Sequence, residues 1–258
     1  MKIVSLVIFT FYIVYCSGRG IGRIIGGNEI SIEQAPYQVA MFYLGNLRCG
    51  GSIISCQFIL SAGHCMFQGN GDLVVAEYLT VRVGSTNYSN GGSEHEVSRF
   101  DVHPLYDDYL LDYDAVILTL KNNIKFDSFR KPIKLPYLNE PFIAGSFVTT
   151  SGWGLTENGG STNLILLMIE LKIFDQVECF NKHASGGGTT TRMICAAAEF
   201  KDTCNGDSGG PLVDVERKKL VGIVSFGDIS GKCAVEGIPG VYTRVASIRQ
   251  WIKKIIKF

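Results

Sequence analysis

The 258-residue sequence predicts an all-β chain that ends in one helix. Its apolar segments are short and broken by glycines or turn residues: Tyr37 to Leu44, Gly51 to Leu60, Leu79 to Val83, Ala115 to Leu120, Phe147 to Trp153 and Leu220 to Phe226. Such punctuation belongs to the strands of a sandwich or barrel. A helical period emerges only at the end, where Ile248, Trp251, Ile252, Ile255 and Ile256 share one face with lysines between them. A basic amphipathic end of this kind would suit either a membrane surface or the flank of a β-structure.

At the N-terminus, Met1-Lys2 precedes an apolar core from Ile3 to Tyr15, and small residues follow at Cys16, Ser17 and Gly18. This reads as a secretory signal peptide over residues 1–18, cleaved after Gly18, which makes the protein secreted and extracellular. A transmembrane anchor is the rival, but Arg19 and its neighbouring glycines arrive too soon for a span. Losing residues 1–23 removes Lys2, Arg19 and Arg23, leaving 21 basic against 24 acidic residues and a formal charge of −3. No basic cluster points to a nucleic-acid partner. The remaining 235 residues suffice for a large core, and without repeats or long linkers they read as one unit.

Eight cysteines in a secreted chain imply a disulfide framework. Cys16 leaves with the signal, so the count becomes odd. None of the others has the paired close spacing of a zinc site, and sequence alone does not fix their connectivity.

The chemistry is concentrated in Cys204-Asn205-Gly206-Asp207-Ser208-Gly209-Gly210-Pro211. Ser208 stands between small residues on backbone that glycines allow to turn tightly, aiming main-chain N–H groups beside the hydroxyl. Such a serine needs a base. The four histidines, His64, His95, His103 and His183, all precede it. An α/β-hydrolase places its histidine after the serine, so that scheme is excluded. The subtilisin order needs an aspartate before the histidine, and no Asp occurs before Asp72, which removes His64 from that scheme. The order His, Asp, Ser remains.

His64 ends the apolar run Ile59-Leu60-Ser61-Ala62-Gly63-His64-Cys65. His95 lies among charged residues and His183 among polar ones, and both read as surface histidines. Asp112-Tyr113-Asp114 precedes the apolar run Ala115-Val116-Ile117-Leu118; composition alone does not choose between the two acids.

Together these segments resemble the trypsin/chymotrypsin family of serine peptidases. The Ser208 run, the Ser-Ala-Gly-His-Cys segment (with Gly63 for the family's second Ala) and Asp-x-Asp carry the likeness. So do Ile24-Ile25-Gly26-Gly27, Cys49-Gly50-Gly51-Ser52, Ser151-Gly152-Trp153-Gly154 and Pro239-Gly240-Val241-Tyr242-Thr243-Arg244-Val245. The likeness spans Ile24 to the end, and His103-Pro104 resembles a structural segment of the family.

The resemblance implies two six-stranded antiparallel β-barrels, meeting near residues 130–145, with the C-terminal helix packed on the second. It implies a peptidase domain over 24–258 behind an activation propeptide at 19–23. It assigns His64, Asp114 and Ser208 as the catalytic residues, with the N–H groups of Gly206 and Ser208 as oxyanion hole. Asp202 would lie at the base of a primary pocket walled by Gly227 and Gly240, selecting Arg or Lys. Ser225-Phe226-Gly227, with Phe226 for the usual tryptophan, would offer backbone to an extended substrate. The segment Asp228 to Lys232 is longer than in typical trypsins and would reshape the pocket rim.

Activation would cut between Arg23 and Ile24 and bring the new ammonium to Asp207. Three bridges are implied: Cys49–Cys65, Cys179–Cys195 and Cys204–Cys233. Cys56 is left as a free thiol or, less simply, an intermolecular bridge. Ser85 follows Val81-Arg82-Val83-Gly84 where calcium-binding relatives carry acidic ligands, so neither metal nor cofactor is expected. Asn87-Tyr88-Ser89 is a glycosylation sequon. Expected partners are peptide or protein substrates, an activating protease and protein inhibitors, with the enzyme itself a monomer. The competing reading is a secreted binding protein that kept the fold without catalysis.

Overall fold

The computed structural model describes residues 27–154, 162–198, 206–228, 235 and 237–256. Among these, two closed six-stranded antiparallel barrels account for most of the chain. The first is built from β2 (Gln38–Tyr43), β3 (Asn46–Ile53), β4 (Phe58–Ser61), β5 (Leu79–Val83), β6 (Ser93–Val102) and β7 (Val116–Leu120). They close in the order β2-β3-β4-β7-β6-β5. The run Gly51 to Leu60 is thus two strands, folded back at the Ser55–Gln57 turn, where Ser55 Oγ accepts from the N–H groups of Gln57 and Phe58. Cys56 sits in that turn as a free thiol.

The second barrel takes β8 (Phe147–Gly152), β9 (Leu167–Ile173), β10 (Met193–Ala197), β11 (Pro211–Asp214), β12 (Lys219–Phe226) and β13 (Gly240–Arg244). Its order is β8-β9-β10-β13-β12-β11, with β8 and β9 closing the ring. A short β1 (Asn28–Glu29), near the start of the described chain, adds to the β9 edge. The second interior is filled by Val148, Leu167, Ile169, Leu171, Ile194, Leu212, Val224 and Tyr242. Alternation along β9, with Leu167, Ile169, Leu171 and Ile173 buried, shows the period-two rule directly.

Two helices are present among the described residues, not the single one read from the sequence. Helix α1 (Gln176–Lys182) starts at Asp175, whose carboxylate accepts from the N–H groups of Val177 and Glu178. It buries only Cys179, bridged to Cys195 on β10. Helix α2 (Val245–Ile256) buries Ile248, Ile252 and Ile256 and lies along β12. It also reaches the first half of the chain, because Trp251 stands edge-on to His103 at 4.8 Å. The helix therefore straddles both halves rather than covering the second barrel alone.

Candidate active site

The barrels meet where β3 and the turn after β4 face the segment before β11. Gly50 N–H donates to the carbonyl of Ser208 at 2.7 Å, and Ser61 Oγ donates to the carbonyl of Gly50 at 2.7 Å. Gly209, at φ +79°, sits so close to this seam that a Cβ would fall 2.1 Å from Ser61 Oγ and 2.7 Å from the Gly50 carbonyl. Its N–H donates to Val224 on β12. Ser208 is thereby pinned by its neighbours on both sides while remaining half-buried itself. The serine lies beside the turn that carries His64, three residues after Ser61.

That turn, Gly63–Met66, is a single 3-10 coil. The Cys49–Cys65 disulfide ties it to β3, and Arg48 donates to the carbonyls of Cys65 and Phe67. His64 makes two contacts with one carboxylate: its main-chain N–H reaches Asp114 Oδ1 at 2.8 Å, and its ring Nδ1 reaches Asp114 Oδ2 at 2.8 Å. A carboxylate only accepts, so Nδ1 carries the proton, and the neutral ring leaves Nε2 as its basic nitrogen.

Asp114 is fully buried just before β7. Ser225 Oγ on β12 donates to its Oδ2 at 2.6 Å, and Thr243 Oγ1 on β13 donates to its carbonyl at 2.8 Å. The acid of the first barrel is thus fastened by two hydroxyls of the second. Neither hydroxyl contact is legible in the sequence, because the partners are more than 100 residues apart. Burial pushes the His64 imidazole down, but the charge and hydrogen bond of Asp114 outweigh it, and the net result is a value above 6.5.

Asp112, the other acid of the pair, does different work. It accepts from both Nε and Nη2 of Arg192, from Thr190 Oγ1 at 2.9 Å and from Tyr113 N–H. It braces the two halves two residues from Asp114. His103 is buried, stacked on Tyr113 at 4.5 Å, in keeping with a structural role. His95 is half-buried on β6 and contacts Ser93. His183 corrects the surface assignment: it is buried, with Nε2 at 2.9 Å from the Pro239 carbonyl and its ring edge-on to Phe226.

Asp207 is buried, and Gly154 N–H donates to its Oδ1 at 2.8 Å. A Cβ on Gly152 or Gly154 would collide with this carboxylate, at 2.1 and 2.4 Å. Gly206 holds φ +99°, a conformation suited to glycine alone. Phe226 and Gly227 end β12 half-exposed, and Gly240 opens β13 opposite Ala196. Asn87 lies half-exposed in a polar turn, its Oδ1 accepting from Ser89 N–H and Oγ. Arg23, Ile24, Asp202, Cys204, Cys233 and most of the Asp228 to Lys232 segment lie outside the described residues. One cluster of potential metal ligands occurs among the described residues, Cys49, His64 and Cys65, but its two sulfurs are bonded to each other. No described helix is long and apolar enough to cross a membrane.

Comparison with known proteins places this geometry in context. The family model described as Trypsin matches residues 24–252. Trypsin 5G1 of Aedes aegypti is 40% identical over 240 residues, covering 92% of this chain and 86% of that protein. Hypodermin-B of Hypoderma lineatum is 39% identical over 238 residues, covering 92% of this chain and 88% of its own. The vitellin-degrading protease of Bombyx mori is 34% identical over 236 residues, covering 91% and 86%.

Proposed function

Because this chain belongs to the trypsin family and is a serine endopeptidase, we propose that it is secreted as a zymogen and cleaves peptide bonds after Arg or Lys, with Ser208 as nucleophile. The observation that carries the reading is the buried Asp114 carboxylate holding Nδ1 of His64 at 2.8 Å beside the Ser208 segment. His64 Nε2 takes the Ser208 proton as Oγ attacks the carbonyl carbon, and the C–O bond forms as the carbonyl electrons move to oxygen. The tetrahedral intermediate collapses, the C–N bond breaks, and the imidazolium hands its proton to the leaving amine. Water then repeats the sequence on the acyl-enzyme and frees Ser208. The N–H groups of Gly206 and Ser208 are the oxyanion donors, each of a kind whose removal costs roughly 3 kcal/mol.

Specificity is assigned to Asp202 by its register six residues before Ser208. A buried carboxylate there is costly without a cation, and a substrate guanidinium or ammonium supplies one. Activation is assigned to cleavage after Arg23, by an activating protease, with the freed Ile24 ammonium seated at Asp207. The burial of Asp207 among glycines that leave no room for side chains supports a preformed anionic socket. Secretion rests on the signal at 1–18, with Asn87 as glycan acceptor and Cys204–Cys233 as the third bridge.

A cleavage profile of the Arg23-processed enzyme on a peptide library tests this reading. Hydrolysis after Arg and Lys is expected, lost in Asp202→Ser. Preferred hydrolysis after Phe or Leu overturns the specificity, and activity from intact Arg23→Gln equal to wild type overturns the switch. A protein that hydrolyses nothing is the binding module instead.

A further inference from the structure

The hairpin joining β2 to β3 ends in a cation that the catalytic scheme does not use. Arg48 is half-buried on β3, and burial lowers its pKa. No carboxylate among the described residues pairs with it. Its Nε and Nη2 are spent on the carbonyls of Cys65 and Phe67, whereas Nη1 donates to nothing among the described residues. Its guanidinium lies 5.7 Å from the centre of the Tyr43 ring, and both residues line an open recess with Leu44, Asn46 and Leu47. The charge is close enough to His64 to oppose its protonation.

We infer that Arg48 is a specificity-determining residue that selects Asp or Glu in the leaving half of the substrate, two or three residues beyond the scissile bond. The inference rests on the peptidase reading above. Position comes from the seam between the barrels. The acyl half of the substrate follows β12 on the Asp114 side, where Ser225 is anchored. The leaving half departs past the Ser208 carbonyl, which Gly50 holds. Arg48 precedes Gly50 by two residues on the same strand, so about 7 Å separates them at roughly 3.3 Å per residue. An extended peptide covers that distance in about two residues. A half-buried cation with one unused donor nitrogen is matched by a carboxylate through charge-assisted bonding, and a lysine there would meet like charge.

The test uses the activated enzyme and quenched peptides identical through an Arg at the cleaved bond, carrying Glu, Gln or Lys in the second and third places beyond it. Wild type should favour Glu over Lys by about tenfold in kcat/KM, and the ratio should shrink at high salt. Arg48→Gln should bring the ratio to about one, and Arg48→Lys should keep part of it. A purely structural role for Arg48 would lower all rates together and leave the ratio intact, which overturns the inference. So does a wild-type ratio of one, or one unmoved by salt, and neither measurement needs a variant that folds. An arginine anilide, which has no residue beyond the bond, separates the two readings. Turnover of the anilide without charge preference overturns this inference alone, whereas no turnover of any substrate overturns the peptidase reading as well.

Discussion

Replacing Arg192 by Ala should destabilise the protein by about 2 kcal/mol and weaken catalysis at a distance. Asp112 is nearly buried, with a side-chain exposure of 10%, while Arg192 is 33% exposed. Removing the arginine takes two charge-assisted hydrogen bonds from a carboxylate, each worth roughly 1.5–3 kcal/mol. Water can reach the vacated side, as the exposure of Arg192 shows, so the loss falls below the roughly 3–5 kcal/mol of a fully buried pair. Thr190 Oγ1 and Tyr113 N–H remain as donors and soften it further.

A double-mutant cycle with Asp112→Asn, read by urea unfolding at pH 7, should give a coupling of at least about 1 kcal/mol. Burial raises the Asp112 pKa, but the hydrogen bonds from Arg192 and Thr190 and the Arg192 charge bring it below 3.8. The pair's stability is therefore present above the ordinary carboxylate range and fades as pH falls through the lowered value. Asp112 lies two residues before Asp114, so kcat/KM should fall too. A coupling under about 0.3 kcal/mol at pH 7 would refute the brace.

Two other outcomes follow from the same contacts. Since the base form of His64 must be neutral and its pKa is raised, kcat/KM should fall with decreasing pH along a limb centred above 6.5, and a limb below that value in a pH–rate profile would contradict the Asp114 interaction. His103 is held to about 4 by burial, against its ordinary 6.5, with Asp112 opposing only partly. The unfolded chain takes up that proton first, so stability is full above 6.5 and about 3 kcal/mol is lost as pH falls to 4. His103→Phe should flatten urea midpoints across that window, and an unchanged slope would count against it.

Legibility in the sequence followed the locality of the signal. Strands buried on one or both faces announced themselves, as in Leu79–Val83, which matches β5 residue for residue. Strand β6 did not, because it exposes Glu94, Glu96, Ser98 and Arg99 and reads as a polar loop. Helix α1 is only two turns long and buries one cysteine, too little for a periodic stripe, though its Asp175 cap was available as a cue. His183 sits among polar neighbours and is buried by Phe226 and Pro239, which arrive from far along the chain. For the site, motif order nominated His64, Asp114 and Ser208. Only folding separates Asp114 from Asp112, since one meets His64 and the other Arg192.

The central claim is that Ser208 is the nucleophile activated by His64, and covalent labelling reaches it most directly. The Arg23-processed protein would be treated with a phosphonate bearing an arginine-like side chain, digested, and mapped by mass spectrometry. The account predicts stoichiometric loss of peptidase activity with one adduct on Ser208, slowed by several orders of magnitude in His64→Ala. An active enzyme that is not labelled, or is labelled at another residue, would contradict it.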